Sequence, residues 1–164
     1  MQIKIRKAKE SDLNGIYSVF LDMADSEDMA MHNSGTSYTR TRIRRKDFEK
    51  SAKKELLREI KDSKNLYIVA EIGNKIIGYA RATLESKKSP FFKPAKIGHF
   101  DAICVLNGHR GKGVSTKLRN EIERWLRQKK CSEIQLDVME SNPAAKIYEK
   151  WGYKVFLNKM SKRV

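Results

Sequence analysis

Residues 107–115 read Asn-Gly-His-Arg-Gly-Lys-Gly-Val-Ser, and three glycines among basic and small side chains suit a turn that holds an anion. Glycine lets a phosphate approach the backbone closely. A helix that starts just after such a turn adds unpaired N–H groups and the positive end of its dipole. A helix is expected here, because Val114, Leu118, Ile122, Trp125 and Leu126 fall on one face while Lys, Arg and Glu fill the other. The expected ligand is a phosphate or pyrophosphate. Spacing narrows the choice. A Walker A loop, GxxxxGK[ST], fails because Gly113 is followed by Val114. A dinucleotide turn, GxGxxG, fails because Thr116 stands in the third glycine's place. The pattern that fits is Arg-x-x-Gly-x-small, with Arg110, Gly113 and Ser115.

Other chemistry is poorly supported. His32, His99 and His109 lack HExxH spacing, and Cys104 and Cys131 lack CxxC spacing. Neither a metal site nor a disulfide framework is expected.

The elements around the turn alternate between strand and helix patterns. Residues 2–7 alternate as a half-buried strand, and Ser11 or Asp12 can cap a helix carrying Leu13, Ile16, Val19 and Phe20. Residues 22–45 begin acidic, pass through Gly, Ser and Thr and turn basic without a clear period, which reads as mostly loop. A second helix is expected over 46–61 from Phe48, Ala52, Leu56, Leu57 and Ile60. Runs 66–72 and 76–84 flank Gly73-Asn74-Lys75 as a hairpin, and a further strand over 97–105 feeds the glycine turn.

Composition fits one folded domain over 1–164: 40% of the residues are hydrophobic and 9% aromatic, too many for a disordered basic tail. The N-terminal MQIKIRKAKESD has no signal-like apolar run, and no stretch of about 18 apolar residues exists, so a soluble cytoplasmic protein is expected. The net charge of +15 invites nucleic acid or an anionic ligand. No helix-turn-helix, zinc-finger or ribonucleoprotein pattern accompanies it, so nucleic acid is disfavoured as the primary partner.

Ile103-x-Val105 followed by His109-Arg110-Gly111-Lys112-Gly113-Val114 resembles motif A of the GNAT family of N-acetyltransferases. Downstream, Asn142-Pro143-Ala144-Ala145-Lys146-Ile147-Tyr148-Glu149-Lys150-Trp151-Gly152-Tyr153 resembles that family's motif B. The opening IKIRKAKESDLNGI is also similar, so the likeness spans nearly the whole chain outside 22–45. Ser115 departs from the usual Gly or Ala but is still small.

The resemblance implies a mixed α/β fold, a largely antiparallel central sheet of six or seven strands with four principal helices. The cofactor would lie where strand 97–105 leaves strand 133–139, and YKVFL and KMSKR would form the closing strands. It implies acetyl-CoA as cosubstrate, without a metal, and an amine acceptor. Backbone N–H groups of Arg110, Gly111, Lys112, Gly113, Val114, Ser115 and Thr116 would cradle the pyrophosphate, and those of Ile103, Cys104 and Val105 would meet the pantetheine arm and thioester carbonyl.

Tyr148 would protonate the departing thiolate, and Asn142, with the signature of an N-cap before Pro143, is a further candidate cofactor contact. His99 is the candidate base, alone or with Asp101 through water, since strand alternation puts His99, Asp101 and Ile103 on one face. Cys104 would then point the other way, which disfavours an acetyl-cysteine route. Asp22, Asp25, Glu27 and Asp28 form a candidate acceptor cluster, and SGTSYTRTRIRR a candidate lid or homodimer contact. The alternatives are a basic nucleic-acid-binding module and a non-catalytic acetyl-CoA sensor.

Overall fold

The computed structural model describes residues 2–34, 43–87, 90–91, 93–139, 142–158 and 160. They belong to two compact units, Met1–Ala24 with Lys46–Asp137, and Asp25–Arg45 with Val138–Val164. The chain runs β1 (Lys4–Lys7), α1 (Leu13–Ser34), α2 (Phe48–Lys61), β2 (Leu66–Ile72), β3 (Lys75–Lys87), β4 (Ala95–Val105), α3 (Val114–Gln128), β5 (Glu133–Gln135) and α4 (Ala145–Lys150). The first unit contains the sheet, whose strands lie side by side in chain order. Every pairing is antiparallel except β4 with β5. The mixed α/β class implied by the resemblance is the one observed.

The hairpin β2–β3 closes through Gly73 and Asn74, both at positive φ of 52° and 65°, as a two-residue turn matched to strand twist requires. Each sheet face has its own helical cover. Val114, Leu118, Ile122 and Leu126 of α3 are buried, and α3 sits so close that a Cβ on Gly98 would lie 2.6 Å from Leu126. The opposite face packs Tyr67, Val69, Tyr79 and Cys104 against Ile16 and Val19 of α1 and Leu56 of α2. At the chain's start Arg6 binds Asp12 through Nη1 at 2.7 Å and Nη2 at 2.9 Å, and its Nε donates to Glu71 at 2.7 Å. This pins β1 to β2 and to the turn that begins α1.

Four expectations need correction. Residues 22–34 are helix, not loop, since α1 continues to Ser34. The segment holds Met, Ala and Glu without Gly or Pro, so the backbone stays helical even where no apolar stripe reports it. Of the rest of that expected loop, 35–42 lie outside the described residues, and 43–45 belong to no helix or strand. The sheet has five strands rather than six or seven among the described residues. β5 ends at Gln135 rather than 139, and 153–158 join no ladder. Val155, Phe156 and Leu157 are exposed, so their apolar pattern is not anchored by burial, the condition under which alternation specifies a strand. Of KMSKR only Met160 is described, and it belongs to no element.

Candidate functional site

The site begins where two strands part. β5 pairs with β4 only from Ile97↔Glu133 to His99↔Gln135, while β4 continues alone on that edge to Val105. Phe100–Val105 therefore form a strand edge with no described partner on that side, where backbone N–H and C=O groups can meet an extended ligand.

Just past the parting, β4 carries a bulge. Arg81 faces Ala102 and Ala82 faces Phe100, so Asp101 is the extra residue. The bulge overturns the face assignment made from alternation. Side chains opposite each other in a ladder share a face, so His99 (opposite Thr83), Ala102 (opposite Arg81) and Cys104 (opposite Tyr79) point to the α1/α2 face. Ile103, opposite Ala80, points to the α3 face. Cys104 thus shares a face with His99, but it is buried in the core beside Tyr79. Its place in the core, rather than the direction of its face, is what disfavours an acetyl-cysteine route.

The edge of β4 runs into the glycine turn. Asn107–His109 make a 3-10 turn, Gly111 and Gly113 take φ of 73° and 77°, and a Cβ at either would meet nothing within 4 Å. This is an open cradle. The first helical bond runs from Lys117 N to Gly113 O at 3.2 Å, which leaves the N–H groups of Val114, Ser115 and Thr116 without intrahelical acceptors. The basic side chains of the turn brace it: Arg110 Nε donates to Val105 O at 2.9 Å, and Lys112 Nζ to Gly108 O at 2.8 Å. Asp22 of α1 completes the brace, with Oδ2 accepting from Asn107 N at 3.1 Å and from Arg110 at 2.8 Å. Asp22, one of the acids of the candidate acceptor cluster, thus ties α1 to the glycine turn.

A polar cluster lies on the α2 face of the same sheet. Thr83 Oγ1 donates to Asp101 at 3.2 Å, His99 Nε2 stands 3.8 Å from Glu85, and Arg81 pairs with Glu59 of α2 at 2.9 Å. Partial desolvation raises the Asp101 carboxyl above the usual aspartate range, against the pull of Thr83, Arg81 and His99. Burial likewise raises Glu59. Sequence reasoning missed Glu59 and Arg81. Glu59 was hidden among the Lys and Glu of α2, though an arginine within the apolar run Tyr79-Ala80-Arg81-Ala82 was a signal that a charge is carried there.

The second unit holds motif B. Asn142 Oδ1 accepts from Ala144 N at 2.9 Å, so Asn142 caps the turn that opens α4, although the helix proper starts at Ala145 rather than at Pro143. The helix ends in a Schellman closure, Tyr153 N to Tyr148 O at 3.0 Å and Gly152 N to Glu149 O at 2.9 Å, around Gly152 at φ 90°. Tyr148 is held edge-on between Trp151 and Tyr153, at 5.7 and 6.1 Å. Of the other expected acceptor acids, Asp25 and Asp28 each lie 2.7 Å from Arg44, and Glu27 is 3.5 Å from Asn142 Nδ2. Among the described residues no helix is long and apolar enough to cross a membrane.

The model of the Acetyltransferase (GNAT) family matches residues 28–153. An N-alpha-acetyltransferase of Saccharolobus solfataricus is 31% identical over 93 residues, which cover 54% of this chain and 56% of that protein. The match thus spans about half the length of that curated relative. A mutant of the BH1408 protein from Bacillus halodurans superposes with a TM-score of 0.83 at 18% identity, covering 98% of this chain and 99% of that one. The aminoglycoside N-acetyltransferase AAC(6')-Iy in complex with CoA gives a TM-score of 0.68 at 16% identity, over 99% of this chain and 95% of that one. At these identities the two structures speak for the fold.

Proposed function

The chain belongs to the GNAT family of acetyltransferases, and from that premise we propose that it transfers an acetyl group from acetyl-CoA to a primary amine by direct attack. The observation that carries this reading is the edge of β4, without a partner strand among the described residues, leading into a left-handed glycine turn at the start of α3. A diphosphate suits that turn, because the N–H groups of Val114, Ser115 and Thr116 precede the first helical bond and a Cβ on Gly111 or Gly113 would meet only open space.

Acetyl-CoA supplies the acetyl group as an activated thioester. The backbone of Arg110–Thr116 holds the pyrophosphate, and Asn142 adds a contact to the same cosubstrate. On β4 the Leu106 N–H donates to Ile77 O, so alternation turns the Cys104 N–H toward β3 and the N–H groups of Ile103 and Val105 toward the open edge, where they bind the pantetheine arm and donate to the thioester carbonyl as negative charge grows. An amine of pKa about 10 arrives protonated. His99 or Asp101, directly or through a water, takes the first proton from the ammonium. The amine lone pair then forms the C–N bond, the C–S bond breaks, Tyr148 gives its phenolic proton to the leaving thiolate, and the second proton shed by the new amide nitrogen returns through water to the tyrosinate.

The acceptor is a protein N-terminus or a small polyamine-like molecule such as an aminoglycoside. The first follows the archaeal relative's name and the second the CoA-bound neighbour's. A thiol-release assay with acetyl-CoA against peptides with free N-termini, aminoglycosides and polyamines tests the proposal. Thiol release that saturates with one class supports transfer. Saturable acetyl-CoA binding with no release from any class would make the chain a sensor, and absence of binding would overturn the site.

A further inference from the structure

We propose that Glu59 of α2 is a positioning residue for acetyl transfer: through its ion pair with Arg81 it keeps that guanidinium off Asp101 and leaves the Asp101 carboxylate available to take the acceptor's proton. The inference rests on the proposed function and goes beyond it, because Glu59 touches neither cosubstrate nor any motif residue.

The geometry supplies the argument. Arg81 Nη1 is 2.9 Å from Glu59 Oε1, with the two side chains only 20% and 16% exposed. A solvent-shielded pair of this kind interacts more strongly than a surface pair. Arg81 and Asp101 flank the same bulge, with Arg81 opposite Ala102 and Asp101 the looped-out neighbour. Arg81 acts electrostatically on both carboxylates, and Asp101 acts on Glu59. Arg81 Nε is buried with no hydrogen-bond partner among the described residues, as is the hydroxyl of Tyr67, a side chain only 4% exposed that also feels Glu59 and Arg81. The guanidinium is thus satisfied by Glu59 alone among the described partners. Without Glu59 the carboxylates left within electrostatic reach of this guanidinium are Glu55 on α2 and Asp101 on its own sheet face. A direct Arg81–Asp101 bond would lower the basicity of Asp101 and occupy the lone pairs that must receive the proton.

The groups that face this cluster are Arg81, Thr83 and Glu85 on β3, His99 on β4, Tyr67 on β2, and Glu55, Arg58 and Glu59 on α2. With Glu55, Glu59, Glu85 and Asp101 ionised against Arg58 and Arg81, the cluster carries a net negative charge in a chain of net charge +15. A cationic amine is drawn to such a place.

The test is Glu59→Gln in the full chain, with Glu59→Asp as the conservative control. Carbon-detected NMR titration of the Asp101 carboxyl needs no turnover. In Glu59→Gln it is expected to move down by about one pH unit. In the thiol-release assay kcat is expected to fall by about tenfold and the acidic limb of its pH profile to follow the titration downward, while the acetyl-CoA KM stays within twofold. Glu59→Asp, which keeps the charge, should restore most of both. An unmoved Asp101 titration in folded Glu59→Gln overturns the proposal, and so does a moved titration with an unmoved pH limb. If the unaltered chain releases no thiol with any acceptor, the acetyl-transfer reading fails instead, and the Asp101 titration still decides whether Glu59 governs that carboxyl.

Discussion

Two residues bear the proposed chemistry most directly. Gly113 stands at φ 77° with open space where a Cβ would go. Gly113→Glu therefore costs about 1 kcal/mol in backbone strain but puts a carboxylate into the phosphate cradle. Acetyl-CoA affinity by calorimetry should drop roughly 100-fold, or about 2.7 kcal/mol, and unchanged affinity would remove the turn from the site. Tyr148→Phe keeps the ring contacts with Trp151 and Tyr153 and removes only the proton donor. Its kcat should fall by about 100-fold with acetyl-CoA binding intact; equal activity would assign the proton to water. Both residues were legible in the sequence because a glycine turn and a tyrosine in motif B are local signals. Glu59 and Arg81 were not, since their meaning comes from an ion pair between α2 and β3 that joins positions 59 and 81.

At the scale of elements, the ties between strands and helices decide what the sheet can present. Arg6 and Asp12 fasten β1 to the turn that begins α1, and the hydrogen bond from Arg6 holds the Asp12 carboxyl below the usual aspartate range. The sign follows from linkage. A carboxyl depressed in the folded state adds stability above its unfolded value of about 4, and loses it as pH falls through the folded value. Asp12→Asn should cost about 2 kcal/mol at neutral pH, read as a Tm lower by roughly 5 °C. The two melting curves should converge as the pH is taken toward 2; a constant gap across that range would show that the charge is not the source. The hairpin and α3 were readable from turn chemistry and apolar period. The bulge at Asp101 was not, because it is set by the pairing of β4 with β3, and it reversed the faces of Ile103 and Cys104.

For the whole molecule, the surplus of basic residues gains a definite place in the proposed chemistry. With 35 Lys and Arg against 20 Asp and Glu, long-range attraction should concentrate an anionic cosubstrate near the turn. Raising salt from about 0.05 M to about 0.5 M should weaken acetyl-CoA binding several-fold in calorimetry, and a flat response would mean that backbone donors act without help from the surface. The sequence by itself determined the helix and strand pattern around the glycine turn and the family likeness, because these depend on neighbours within a few residues. Only the tertiary structure decided that α1 brings Asp22 to brace the turn, that β4 and β5 part after His99, that Asp101 bulges, and that α2 sets Glu59 against Arg81. The reason is physical: each of these arises from contacts between segments distant in the chain, whose register and distance no local pattern encodes.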